Sequence, residues 1–188
     1  MSQIDKDLYF LRIAKEASTN CKCLSRKIGT VLVKNGCVVS TGYNGPAKGV
    51  KHCNERPCDF YLQLEQPEVT IAIKTKDYPS NCPRKDLGYK SGQGLHLCQA
   101  VHAERNAILQ AGMNGIATKG ATLYCYCGRP CKDCMIEIVN SGISELVFLE
   151  KDNPKTQVAN NSGSYDEYSG VILEESGIKY RTIKESLI

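Results

Sequence analysis

Tryptophan is absent from the 188-residue chain, and phenylalanine occurs only three times. A stacking platform for single-stranded nucleic acid would have to lean on the ten tyrosines, and their placement gives that reading little help. A dominant charge is missing too. With 24 Lys+Arg against 20 Asp+Glu, the net of +4 is too mild for a dedicated nucleic-acid binder, so no stable nucleic-acid binding is expected. No stretch approaches the roughly 18 apolar residues of a membrane helix. The opening MSQIDKDLYF is charged within its first residues and has no apolar signal core. A cytoplasmic protein without a membrane partner is the expectation. There is no internal repeat and no low-complexity run, and the length suits a single domain over 1–188 with a real core.

What the chain has in excess is cysteine, eleven in all. In a reducing compartment such a count points to metal binding or catalysis rather than a disulfide framework, and an odd number does not suit a fully paired scaffold.

Apolar positions Leu8, Leu11, Ala14 and Ala17 among charges predict an amphipathic helix over 5–18. IGTVLVK and CVVSTGYN flank Asn35-Gly36, the strongest short hairpin signal available. HAERNAILQAG predicts a helix from about residue 102, with Gly112 at its C-cap. ATLYCY (121–126) reads as a strand. Pro130 suits the first turn of the helix CKDCMIEIVNSG and Gly142 its end. ELVFLE (145–150) is a further strand, 151–164 a polar loop, and a helix (165–176) and strand (178–183) close the chain. The alternation predicts a three-layer α/β/α domain around a central mixed sheet. Residues 53–98 break it. They form a Cys-rich insert with four prolines and little periodicity, although VTIAIKT reads as a short strand.

Two short segments carry the chemistry. His102-Ala103-Glu104 opens one predicted helix, and Pro130-Cys131-Lys132-Asp133-Cys134 opens another. One imidazole and two thiolates make a three-ligand zinc site with the fourth tetrahedral position left for water. Helix N-termini favour thiolate over thiol, and Cys131 and Cys134, three apart, share a helical face. Glu104, two residues past His102, lies within reach of that water without ligating. A lone His at a helix start or a lone C-x-x-C would carry little weight, but the combination is specific.

HAERNAI together with PCKDC resembles the cytidine deaminase superfamily, and the H-x-E…P-C-x-x-C signature is that of zinc-dependent base deaminases. GYNG at 42–45, preceded by CLSRKIGTVLVKNG, resembles its deoxycytidylate (dCMP) deaminase branch. The similarity runs from about residue 8 to 150, interrupted by the insert. It implies hydrolytic deamination of dCMP to dUMP and ammonia, with His102, Cys131 and Cys134 on zinc and Glu104 as proton shuttle. It also implies Asn44 on the sugar or base, a homo-oligomer (often a hexamer), and dCTP and dTTP as effectors, dCTP with Mg2+. Asn44 has a plainer reading as a turn residue beside Gly45. Arg26 and Lys27 stand as candidates for a substrate phosphate, and equally as a solvated pair. One departure concerns the loop CYCGR between Tyr124 and Pro130. It is a residue longer than usual in this group, and Arg129 stands where small or acidic residues are more familiar. Another nucleoside or base as substrate, or a zinc-braced module without catalysis, are the competing readings.

Cys23, Cys53, Cys58 and Cys98 remain, with His52 and His96 beside two of them. Relatives in the branch often carry a second, structural zinc that ties the insert to the rest, and these four are the expected ligands, with Cys82 as a rival. Polar surroundings such as KHCNERPC make poor burial sequence, which favours metal over free buried thiols.

Overall fold

Period-two alternation along the strands sorts the molecule into layers. Leu32, Leu123, Cys125, Leu146 and Phe148 point to one side of a sheet, and Val31, Val33, Tyr124, Val147 and Leu149 to the other. The computed structural model describes residues 2–63, 81–90, 93–150 and 164–188. Its strands are β1 (Gly29–Lys34), β2 (Cys37–Tyr43), β3 (Thr122–Tyr126), β4 (Glu145–Glu150) and β5 (Lys179–Lys184). They lie in the order β2-β1-β3-β4-β5, with β1 antiparallel to both neighbours and β3, β4 and β5 parallel. Helix α1 (Gln3–Ser18) covers one face through Phe10, Leu11 and Ala14. On the opposite face lie α4 (Ala103–Met113), α5 (Lys132–Asn140) and α6 (Ser164–Ser176), which contribute Ala107, Ala111, Met135, Ile138 and Leu173. This is the expected α/β/α arrangement around a mixed sheet. Two short helices, α2 (Cys58–Gln63) and α3 (Pro83–Asp86), belong to the insert. Among the described residues no helix is long and apolar enough to cross a membrane.

The Asn35-Gly36 turn has φ of 52° and 76°, the doubly positive pair that a two-residue hairpin needs. Several sequence expectations shift. Ala17 lies at the margin of the core, and Phe10 takes the place assigned to it. Gly112 is not the C-cap of α4: the helix runs on to Met113. There Gly115 (φ 68°) donates to the Gly112 carbonyl at 3.0 Å, and Ile116 donates to that of Ala111 at 2.9 Å. That paired closure puts the left-handed glycine three residues later and lets Ile116 fold back onto the core. The strand expected at VTIAIKT and the 151–164 loop lie outside the described residues, except that Ser164 opens α6.

A charged group is buried in the α1 layer. Asp7, 1% exposed, accepts two hydrogen bonds from Arg181 (2.8 and 3.1 Å) and one from the Tyr124 hydroxyl (3.1 Å). It thereby ties α1 to β3 and β5. Removing Asp7 leaves the buried Tyr124 hydroxyl without this acceptor, while Arg181, partly exposed, keeps its pair with Glu145, so the cost is about 2 kcal/mol. Asp7→Ala is expected to lower the midpoint of thermal unfolding by roughly 4–8 °C for a domain of this size, measured by calorimetry.

Candidate active site and metal centre

Backbone contact fixes the first helix of the site. A Cβ added at Gly42 would stand 2.0 Å from the Ala103 carbonyl oxygen and 2.6 Å from the Ala107 nitrogen. Only glycine therefore lets β2 lie directly on the first turn of α4. Side chains from the sheet complete the seam. Thr30 and Ser40 donate to the carbonyls of Ala103 (2.8 Å) and Ala107 (2.7 Å). Asn44 accepts from the Ala103 N–H at 2.9 Å, so its side chain satisfies one of the open donors at the start of α4. Asn106 reaches back to the Tyr43 carbonyl at 2.8 Å, and Gly45 and Val101 exchange two backbone bonds. The GYNG segment is thus zipped to the residues on either side of His102, which is the N-cap of α4.

Cys131 is the N-cap of α5, and Cys134 lies one turn in. Pro130 was expected in the first turn. It instead precedes the cap, because Cys131 must keep an extended ψ of 165° to turn the chain into the helix. Behind the ligands a two-pronged ion pair joins the helices: Arg105 Nε and Nη2 meet the Glu137 carboxylate at 2.8 and 2.6 Å.

Two helix N-termini therefore meet. Cys131 Sγ and Cys134 Sγ lie 3.4 and 3.3 Å from His102 Nδ1. The three donor atoms all fall within 4.8 Å of one another, and among the described residues this is the only His/Cys/Asp/Glu group to do so. The set fits a tetrahedral zinc with one position open. In the metal-free protein the Cys131 thiol is pushed down by the hydrogen bond from Cys134 and by His102 beside it, while Cys134 keeps the shared proton and is pushed up. His102 is raised, chiefly by Cys131. A group so rich in thiolate and imidazole, gathered at two positive helix ends, is the chemistry that a soft divalent cation selects.

Glu104 is 3% exposed, and its burial raises the carboxyl pKa. Its Oε1 faces the Cys127 thiol at a long 3.9 Å, and its Oε2 is buried with no hydrogen-bond partner among the described residues. An orphaned carboxylate oxygen beside an open ligand position is costly unless something bound there uses it.

Of the remaining cysteines, Cys23, Cys53 and Cys98 line one pocket together with Cys82 and His52, whereas Cys58 is buried at the start of α2 and is not among the lining residues. Sequence spacing could not choose between Cys58 and Cys82, because both neighbour a proline in the insert. Arg26 and Lys27 are exposed ahead of β1, and Arg26 lies close enough to favour ionisation of the Cys127 thiol. The contributions of Thr30, Asn106, Arg105 and Glu137 carried no signal that sequence could show, since each acts on a partner distant in the chain.

The family model for the cytidine and deoxycytidylate deaminase zinc-binding region matches residues 4–150, and the chain belongs to that family. It is 32% identical over 176 residues to the deoxycytidylate deaminase of Saccharomyces cerevisiae, covering 93% of this chain and 44% of the yeast protein. It is 40% identical over 147 residues to that of Enterobacteria phage T2, covering 74% and 77%. The chain thus spans less than half the length of its yeast relative. In fold it is similar to the dCMP deaminase of cyanophage S-TIM5 in complex with dCMP and dUMP, with a TM-score of 0.61 at 18% identity over 97% of this chain and 99% of that one.

Cys134→Ser, which removes a ligand without changing side-chain size much, is expected to cost one equivalent of zinc per chain. Elemental analysis of the purified protein beside its parent checks this.

Proposed function

We propose that the chain is a zinc-dependent hydrolase that converts dCMP to dUMP and ammonia, supplying dUMP for thymidylate synthesis. The observation that carries this reading is the buried Glu104 Oε2, without a hydrogen-bond partner among the described residues, beside the three-donor cluster. A purely structural zinc has no use for a buried carboxylate there. His102, Cys131 and Cys134 hold the metal, which when bound supplies the Lewis acidity that makes a water acidic near neutral pH. Glu104 does the proton work. It takes one proton of the attacking water and delivers it to N3 of cytosine as the water oxygen bonds to C4. It then takes the remaining proton from that C4 hydroxyl and passes it to the exocyclic nitrogen, which leaves as ammonia when the C4–N bond breaks. Its raised pKa suits a group that must both accept and give. Asn44, with its oxygen spent on Ala103, presents an amide N–H2 that has no partner among the described residues, and we assign it to the sugar or base of the substrate.

Glu104→Gln is expected to keep its zinc while turnover falls by at least about 1,000-fold, since general acid–base catalysis contributes about 100- to 10,000-fold and this group serves both directions. Near-normal turnover at full metal content would remove Glu104 from the mechanism. The substrate assignment rests on the named relatives and on GYNG against α4. It predicts a kcat/KM for dCMP at least about 100-fold above that for deoxycytidine, because two charge-assisted bonds to the phosphate already exceed the 2.7 kcal/mol required. Equal efficiencies in steady-state kinetics at low salt would shift the reading to a nucleoside.

A second zinc belongs to the proposal, with Cys23, Cys53 and Cys98, and Cys82 in place of Cys58, as its ligands. No three of these sulfurs lie within 4.8 Å of one another, so the four would draw together on taking up the ion. Its support is the shared pocket and the Ser25 N–H aimed at Cys23 Sγ at 3.4 Å, a donor that favours thiolate. Cys23 is accordingly drawn down to about 5, first by the Cys21 thiol. Metal analysis is expected to give two zinc ions per chain, and one for Cys98→Ser. We further assign the exposed apolar side chains Leu109 and Met113 on α4, with Ile136 on α5, to contact between copies in a homo-oligomer, a hexamer in the family pattern. Regulation by dCTP with Mg2+ and by dTTP follows from the same family likeness.

A further inference from the structure

The loop that leads into the metal ligands is anchored by a helix lying beyond the stretch matched by the family model. At the start of the loop, the Cys127 carbonyl accepts from the Leu149 N–H at 2.8 Å, which holds it to β4. At its end, the Pro130 carbonyl accepts from Ser169 Oγ of α6 at 2.5 Å, with both residues fully buried. Proline has no N–H, so this carbonyl is the only hydrogen-bonding group that Pro130 owns, and Ser169 satisfies it. Between these points Arg129 lies against Gly170, the next residue of α6. A Cβ at Gly170 would stand 3.1 Å from Arg129 Nη1 and 3.3 Å from its Cζ. The arginine and the proline carbonyl of this loop thus both meet α6 at Ser169 and Gly170.

The peptide from Pro130 to Cys131 is planar, so the Pro130 oxygen, the Cys131 nitrogen and the Cys131 Cα move as one unit. A bond that fixes the oxygen also fixes where Cys131 starts, and with it the thiolate that must meet His102. We propose that Ser169 is a positioning residue for the catalytic metal, acting through the Pro130 carbonyl, and that α6 is a working part of the metal centre. This rests on the zinc reading of the site and not on which nucleotide is turned over. Groups one step behind metal ligands typically change affinity by about 10- to 100-fold when removed.

The test measures zinc affinity by competition with a chromophoric chelator at pH 7, for the equivalent that Cys134→Ser removes. Ser169→Ala is expected to weaken binding by about 10-fold or more. Ser169→Cys, similar in size with a weaker donor, should fall between Ser169→Ala and the parent, and it bears the test if Ser169→Ala does not fold. Ser18→Ala is the control: it deletes another serine-to-carbonyl bond of a buried serine, to Lys15 at 2.6 Å, at the end of α1 on the opposite face of the sheet. It should leave zinc affinity unchanged. Parental affinity in both Ser169 variants would overturn the proposal, and so would equal loosening in Ser18→Ala. No substrate enters the measurement, so failure of the parent to deaminate dCMP counts against the substrate assignment alone.

Discussion

The convergence of two helix N-termini on one small volume is the constraint around which the molecule is built. Each brings ligand atoms and a partial positive charge, and neither would stay there by itself. Thiolates at 3.3–3.4 Å from an imidazole are held by the backbone contact at Gly42, the Asn44 and Asn106 seam, and the Arg105–Glu137 pair. The sheet serves this meeting. β3 and β4 run parallel, so α5 connects them on the same face as α4, and the starts of both helices come to one region of the fold.

Most of the fold was legible because its signals are local. The hairpin turn needs two residues with positive φ, and Asn-Gly declares it. The metal motifs sit at helix starts, where spacing and caps coincide. Errors arose where a local signal had two physical meanings. Gly112 resembles a helix terminator, yet Gly115 three residues on offers the left-handed conformation that the closure requires, and Ile116 has a core to fold onto. Pro130 is compatible with a first turn, but the cap had to be the ligand Cys131.

What sequence could not show are side chains whose task depends on a partner far along the chain. Asp7 reads as one more charge on a solvated helix face, and only the approach of Arg181 and Tyr124 makes its burial tolerable. Asn44 was expected to address the substrate. Half of its amide is spent on the Ala103 N–H, so the same residue shapes the helix that presents Glu104. The fourth cysteine of the insert pocket is Cys82, a choice that depends on how α3 folds back toward residues 23 and 98.

The strand order has a consequence for how this chain can vary in length. All of the zinc-centre side chains, from His102 to Cys134, come from the run α4–β3–α5, while the insert lies wholly between β2 and α4. The insert therefore lengthens a single connection whose closure entropy grows only logarithmically, about 0.6 kcal/mol for each doubling. Insertions and deletions there leave the spacing of His102, Cys131 and Cys134 untouched. A residue added between Tyr124 and Pro130 would fall inside the run, where Cys127 is held to β4 and Pro130 to α6. Tolerance to insertion thus differs between the connection ahead of the ligand run and the run itself.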